Sequence, residues 1–180
     1  MKKIIITLVF LLLISYAFGQ VFNSGACSRG KIISLGLEPT VMGVGSGDNF
    51  MMFAHVDFKL KPGANLTFKY GAGDEDYFGG ALKWTFVKTI AINAGMHKFG
   101  SLGLDASAIF SIKFIGDNRI YLGADMDINF PKGNSIQIPL WLPVGMEVRL
   151  APSVAFALEA EIGVNDEAYH ILGGGVIIYF

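Results

Sequence analysis

From about residue 50 onward, hydrophobic and polar side chains alternate with a period of two, the spacing of a strand with two unlike faces. In 52–60, Met52, Ala54, Val56, Phe58 and Leu60 share one face, and Phe53, His55, Asp57 and Lys59 share the other. The split recurs in 103–114 and in 154–164. It is sharpest in 120–130, where Ile120, Leu122, Ala124, Met126, Ile128 and Phe130 oppose Tyr121, Gly123, Asp125, Asp127 and Asn129. Turn chemistry separates the runs at Lys61-Pro62-Gly63-Ala64, Gly73-Asp74-Glu75-Asp76, Gly116-Asp117-Asn118, Ala151-Pro152-Ser153 and Asn165-Asp166-Glu167. The pattern predicts strands over 32–45, 51–60, 65–72, 78–87, 90–97, 103–114, 119–130, 138–150, 154–164 and 169–180. Ten strands is an even number; eight is the runner-up if one or two segments are not true strands. Pro39, Pro139 and Pro143 lack a ladder donor and are expected at strand ends or bulges.

The first residues follow another rule. Lys2-Lys3, an apolar run from Ile4 to Ile14 and Ala17-Phe18-Gly19 before Gln20 are the three parts of a secretory signal. This divides the chain into a signal at 1–19, an N-terminal segment at 20–31 and one domain at 32–180. Cleavage after Gly19 leaves 12 basic and 15 acidic residues. That balance excludes a bulk electrostatic attraction to nucleic acid. The single cysteine, Cys27, excludes an intramolecular disulfide and reads as a free thiol outside the strands. After Gly19 the longest stretch without a charge, 133–146, holds Asn134, Gln137, Pro139 and Pro143, which excludes a membrane-spanning helix there.

With 52% apolar and only 16% charged residues, the two faces must be assigned to their surroundings. The polar face is rich in Gly, Ala and Ser, with sparse charges of both signs, and suits a narrow interior. The apolar face is nearly free of charge over about ten residues per strand, the length that crosses a bilayer at a tilt of about 45°. The fold class expected is therefore all-β, a closed antiparallel transmembrane β-barrel.

The last strand places Leu172, Gly174, Val176, Ile178 and the terminal Phe180 on one face. A chain that ends in an alternating strand capped by Phe resembles bacterial outer-membrane β-barrels. The resemblance implies a protein exported to the outer membrane, with outer-membrane lipid as its surroundings. It also implies the barrel-assembly machinery as a partner during biogenesis, with Phe180 as the assembly signal. The Gly19/Gln20 junction likewise resembles signals of Bacteroidota. Turns at 61–64, 88–89, 115–118 and 151–153 would be periplasmic and the connections at 46–50, 73–77, 98–102, 131–137 and 165–168 external. Aromatic residues near strand ends, Tyr70, Tyr77, Phe78, Phe130, Trp141, Tyr169, Tyr179 and Phe180, would suit interfacial girdles. An equally good reading is that they are simply good strand formers.

The inferred lumen carries Glu38, Asp57, Asp105, Asp125, Asp127, Glu147, Glu159 and Glu161 against Lys59, Lys69, Lys83, Lys113 and Arg149. Unpaired charges in a narrow lumen are costly, so a charge network paired across strands is expected, as a structural plug or, secondarily, an ion path. Asp125 and Asp127 share a face, but no glycine-bearing calcium loop accompanies them, and no metal or other cofactor is inferred. Ser101, His97 and Asp105 could assemble a hydrolase triad, although nothing in their spacing requires it and no catalytic residue is assigned. Gly173-Gly174-Gly175 lies in a strand pattern with no helix after it, so it is not a phosphate loop. The function expected is a non-enzymatic outer-membrane barrel, structural or a narrow, largely occluded pore. The alternatives are a soluble secreted lipocalin-like barrel that binds an apolar ligand and a membrane-embedded hydrolase. Deletion of Phe180 is predicted to impair assembly; unchanged outer-membrane yield would remove the terminal-strand assignment.

Overall fold

Ten antiparallel strands close on themselves in sequence order. The computed structural model describes residues 31–87, 89–133 and 135–180. The expected signal 1–19, the segment up to residue 30 and Cys27 lie outside the described residues. The strands are β1 (Ile33–Met42), β2 (Asn49–Lys61), β3 (Ala64–Ala72), β4 (Tyr77–Val87), β5 (Ile90–Phe99), β6 (Ser101–Lys113), β7 (Arg119–Phe130), β8 (Leu140–Ala151), β9 (Val154–Gly163) and β10 (Ile171–Tyr179). Each pairs with its sequence neighbours, and β1 pairs with β10, so no strand keeps an open edge. Closure brings Ser34 opposite Tyr179, with Ile32 N donating to Phe180 O at 3.0 Å. This rim also carries the hairpins after β2, β4, β6 and β8 and is called the terminal rim. The connections after β1, β3, β5, β7 and β9 form the far rim.

The alternation places the apolar face outward. Leu35, Phe58, Phe68, Trp84, Leu104, Leu122, Val144 and Leu158 are all exposed, while their neighbours of opposite parity face the lumen. A soluble protein does not leave a continuous apolar girdle in water, and a lipid-facing barrel requires one. Parity corrects half of the expected aromatic girdle. Tyr70, Phe78, Phe130 and Phe180 are exposed, but Trp141 and Tyr179 are buried and face inward, and the Tyr77 ring stacks on His97 inside the barrel. Trp141 Nε1 donates to Tyr169 O at 2.8 Å at the far rim.

Prolines sit deeper in the strands than expected. Pro39 lies within β1 and pairs in register with Met52 of β2, but the β1–β10 ladder skips from Leu37–Val176 to Thr40–Gly173. Pro143 lies within β8 and pairs with Glu161 of β9, while the β7–β8 ladder skips from Leu122–Val144 to Asp125–Trp141. Each proline lacks one N–H and so interrupts one of its two ladders only. Pro139 does precede its strand. β1 stops at Met42 rather than at residue 45, because Gly43, Gly45 and Gly47 take φ values of 77, 83 and 122°, outside the strand region.

Inward glycines decide where large inward side chains lie. Tyr121 pairs across to Gly145, and a Cβ at residue 145 would stand 2.3 Å from Tyr121 Cζ. Gly36 likewise receives the His55 ring, and Gly103 receives His97. The rings thus lie flat over the neighbouring strand instead of meeting at the axis.

Two outcomes follow from the face assignment and the glycine seats. Leu122→Arg and Met126→Arg place a cation in the lipid-facing girdle, where it costs about 2–4 kcal/mol at the midplane. Both variants should lose stable insertion, read as loss of the folded, heat-modifiable band on a gel; normal assembly of both would reverse the assignment. Gly145→Val should destabilise the folded barrel by about 1–3 kcal/mol through overpacking against Tyr121, measured by denaturant unfolding in lipid vesicles.

Candidate functional site in the barrel lumen

The lumen is polar because every second residue of every strand is turned into it, and the hairpin registers decide which of these residues meet. Three groups result.

The first joins β1, β2 and β3. Glu38, fully buried, is in direct contact with His55 Nδ1. His55 Nε2 lies 3.5 Å from Asp57 Oδ2. Asp57 in turn accepts from Ser34 Oγ at 2.7 Å and Thr67 Oγ1 at 2.5 Å, with Lys83 close enough to act on its charge. The His55 ring between two carboxylates makes this a paired polar network, the condition for keeping charges in a narrow barrel.

The second group lies nearer the far rim on β5, β6 and β7. His97 Nδ1 is in direct contact with Asp105, and His97 Nε2 is 2.9 Å from Asn129 Oδ1. The Tyr77 ring stacks on the imidazole with centroids 5.5 Å apart. Ligand atoms of His97, Asp105 and Asp127 all lie within 4.8 Å of one another. Asp125, Glu161 and Lys69 face the same space. This arrangement does not form the Ser101, His97 and Asp105 triad. The ring nitrogen that would activate a serine is engaged by Asn129, although Asp105 does sit on the opposite nitrogen.

The third group is at the terminal rim. The Tyr179 hydroxyl donates to Glu147 Oε1 at 3.0 Å, and Arg119 pairs in register with Glu147. Glu159 lies beyond Gly145 in the same row as Tyr121. Lys113 and Arg149 do not join these buried acids: Lys113 Nζ is 2.5 Å from Asp117 Oδ1, and Arg149 Nη1 is 3.9 Å from Asp117 Oδ2, in the exposed turn after β6. Lys59 sits at the same rim, opposite Asn65.

A cavity of about 310 Å³ occupies the lumen. It runs from Phe99, Ser101, Gln137 and Glu167 at the far rim to Ser34, Ile177 and Tyr179, beside the closing seam near the terminal rim. None of its lining residues belongs to the hairpins of the terminal rim. Two far-rim connections are tied at its mouth: the Ile138 backbone N–H donates to Glu167, and Leu140 N donates to Asn165 Oδ1 at 3.1 Å. Burial, then the charges of Glu161 and Asp127, push the Tyr169 hydroxyl well above its ordinary range, so it remains a neutral phenol there. His170 stays exposed in the same connection and accepts from Gly163 N at 3.1 Å.

Sequence reasoning passed over Arg119, Asn129 and Glu167. Period-two parity marks Arg119 and Asn129 as inward, since both share the face of Tyr121, Asp125 and Asp127. Glu167 carried no signal, because its role depends on how two loops lie against each other.

No family model matches the chain, and no curated protein matches it by sequence. Solved structures do. The KdgM porin aligns with a TM-score of 0.50 at 10% identity, covering 82% of this chain and 99% of that one. The Acinetobacter baumannii outer membrane protein Omp33 aligns at 0.42 and 9% identity, over 83% of this chain and 98% of that one. The N-terminal β-barrel domain of Pseudomonas aeruginosa OprF aligns at 0.41 and 12% identity, over 82% of this chain and 96% of that domain. At these identities the likeness is one of fold, and the fold is that of a transmembrane β-barrel.

Proposed function

We propose that the protein is an outer-membrane β-barrel with a structural role, whose lumen is occluded rather than a diffusion pore. The observation that carries this reading is the packing of side chains from β6, β7 and β8 into the terminal half of the lumen. Ile109 is 1% exposed, Tyr121 3% and Glu147 0%, and none of the three lines the cavity. These side chains narrow the path of a solute that enters from the far rim, with Tyr121 locked over Gly145 and Glu147 held by Tyr179.

The outer-membrane address rests on the expected signal at 1–19 and the alternating last strand ending in Phe180, together with the apolar girdle. On the same reading, the barrel-assembly machinery inserts the chain and outer-membrane lipid surrounds it. The charged lumen side chains serve as a plug: Glu38, His55 and Asp57 pair across β1 and β2, and Glu147 is bonded from β10. KdgM is a porin by name, so the porin function is the competing reading, and it requires a continuous lumen.

Planar-bilayer recording separates the two. Purified protein, with its folded fraction checked by heat-modifiable migration, is expected to give no steady conductance. Joint replacement of Ile109 and Tyr121 by Ala should produce discrete current steps. Stable ohmic channels from the unaltered protein would overturn occlusion in favour of a pore.

A further inference from the structure

The second lumen group differs from the first in a way that points to a ligand. At His55 the two ring nitrogens face separate carboxylates, and hydroxyls of Ser34 and Thr67 complete Asp57. At His97 two carboxylates gather around one ring. Nε2 faces the Asn129 amide oxygen, and Nδ1 faces Asp105 with Asp127 beside it. One imidazole nitrogen and two carboxylates, each able to bind a cation through an electron pair, converge within 4.8 Å. The surrounding charge also favours a cation, because six carboxylates line the cavity against two lysines, Lys69 and Lys83.

We propose that His97, Asp105 and Asp127 form a binding site for a divalent transition-metal cation in the far half of the lumen. The three come from adjacent strands, β5, β6 and β7, and their ligand atoms lie within 4.8 Å of one another. Small rotamer adjustments bring such a set around one cation at about 2.0–2.2 Å from each ligand. One imidazole and two carboxylates suit Zn²⁺, Mn²⁺ or Fe²⁺, and the adjoining cavity supplies both an access path and room for water as further ligands. Outer partners fix the imidazole as metal sites require: Asn129 holds Nε2, Tyr77 stacks on the ring, and only glycine at residue 103 leaves space for His97 and Asn129 to meet, since a Cβ there would stand 2.4 Å from Nε2. The site is independent of whether the lumen conducts.

The test is calorimetric titration of Zn²⁺ into the folded full-length protein in detergent, with folding of each variant checked by heat-modifiable migration. The expected result is one saturable site, with affinity reduced at least tenfold in His97→Ala and in Asp127→Asn. Asn129→Leu, which removes only the positioning partner, should weaken binding about 10–100-fold. His170→Gln and Cys27→Ser should bind as the unaltered protein does. The two ligand variants on different strands keep the test decisive if one fails to fold. Absence of saturable binding overturns the proposal. So does binding that survives in both ligand variants, or that is lost in His170→Gln or Cys27→Ser.

Discussion

Lumen space is the constraint on which the rest of this barrel depends. Ten strands enclose an interior only a few side chains wide, and half of each strand's side chains are turned into it. Large inward residues fit only by lying across a neighbouring strand, which works where that neighbour presents glycine: Gly36 under His55, Gly103 under His97 and Gly145 under Tyr121. The same arrangement decides the chemistry. A ring laid sideways brings its polar atoms to the next strands, so His55 reaches Glu38 and His97 reaches Asn129. Glycine in a strand interior weakens the strand locally, and the close fit of the rings offsets that loss.

The fold was legible because two signals agreed along the whole domain: period-two alternation within each run, and turn residues between runs. Strand boundaries failed where the deciding quantity was a backbone angle rather than a composition. The segment after Met42 continues the strand-like pattern through Val44, yet the positive φ values of Gly43 and Gly45 turn it away. The expected girdle failed for a different reason. Parity, not nearness to a strand end, decides which way an aromatic side chain points, and parity places Trp141 and Tyr179 inside.

The site was legible in membership and not in grouping. Period two identifies which acids and bases face inward, but which of them touch depends on the offset between neighbouring strands. The β5–β6 register puts His97 opposite Gly103, and the β6–β7 register then puts Gly103 opposite Asn129. A hairpin one residue longer would have slid this row and separated His97 from Asn129. Lys113 and Arg149 share the inward parity, yet the turn carrying Asp117 draws both to the rim. Turn conformation, which alternation does not report, therefore partitions the charges among the three groups.

The ladder gap at Pro39 has a consequence for how the cylinder comes together. The closing seam consists of two separate zippers, Ser34–Leu37 on Val176–Tyr179 and Thr40–Met42 on Ile171–Gly173, with a break at mid-height beside the fully buried Glu38. Neither zipper's hydrogen bonds run continuously into the other's, so the seam is perforated where every uninterrupted pair of strands is stitched throughout. If the wall parts sideways, this line and the β7–β8 ladder broken beside Pro143 offer the shortest runs of backbone bonds to undo, and on closing the seam has two places from which to start.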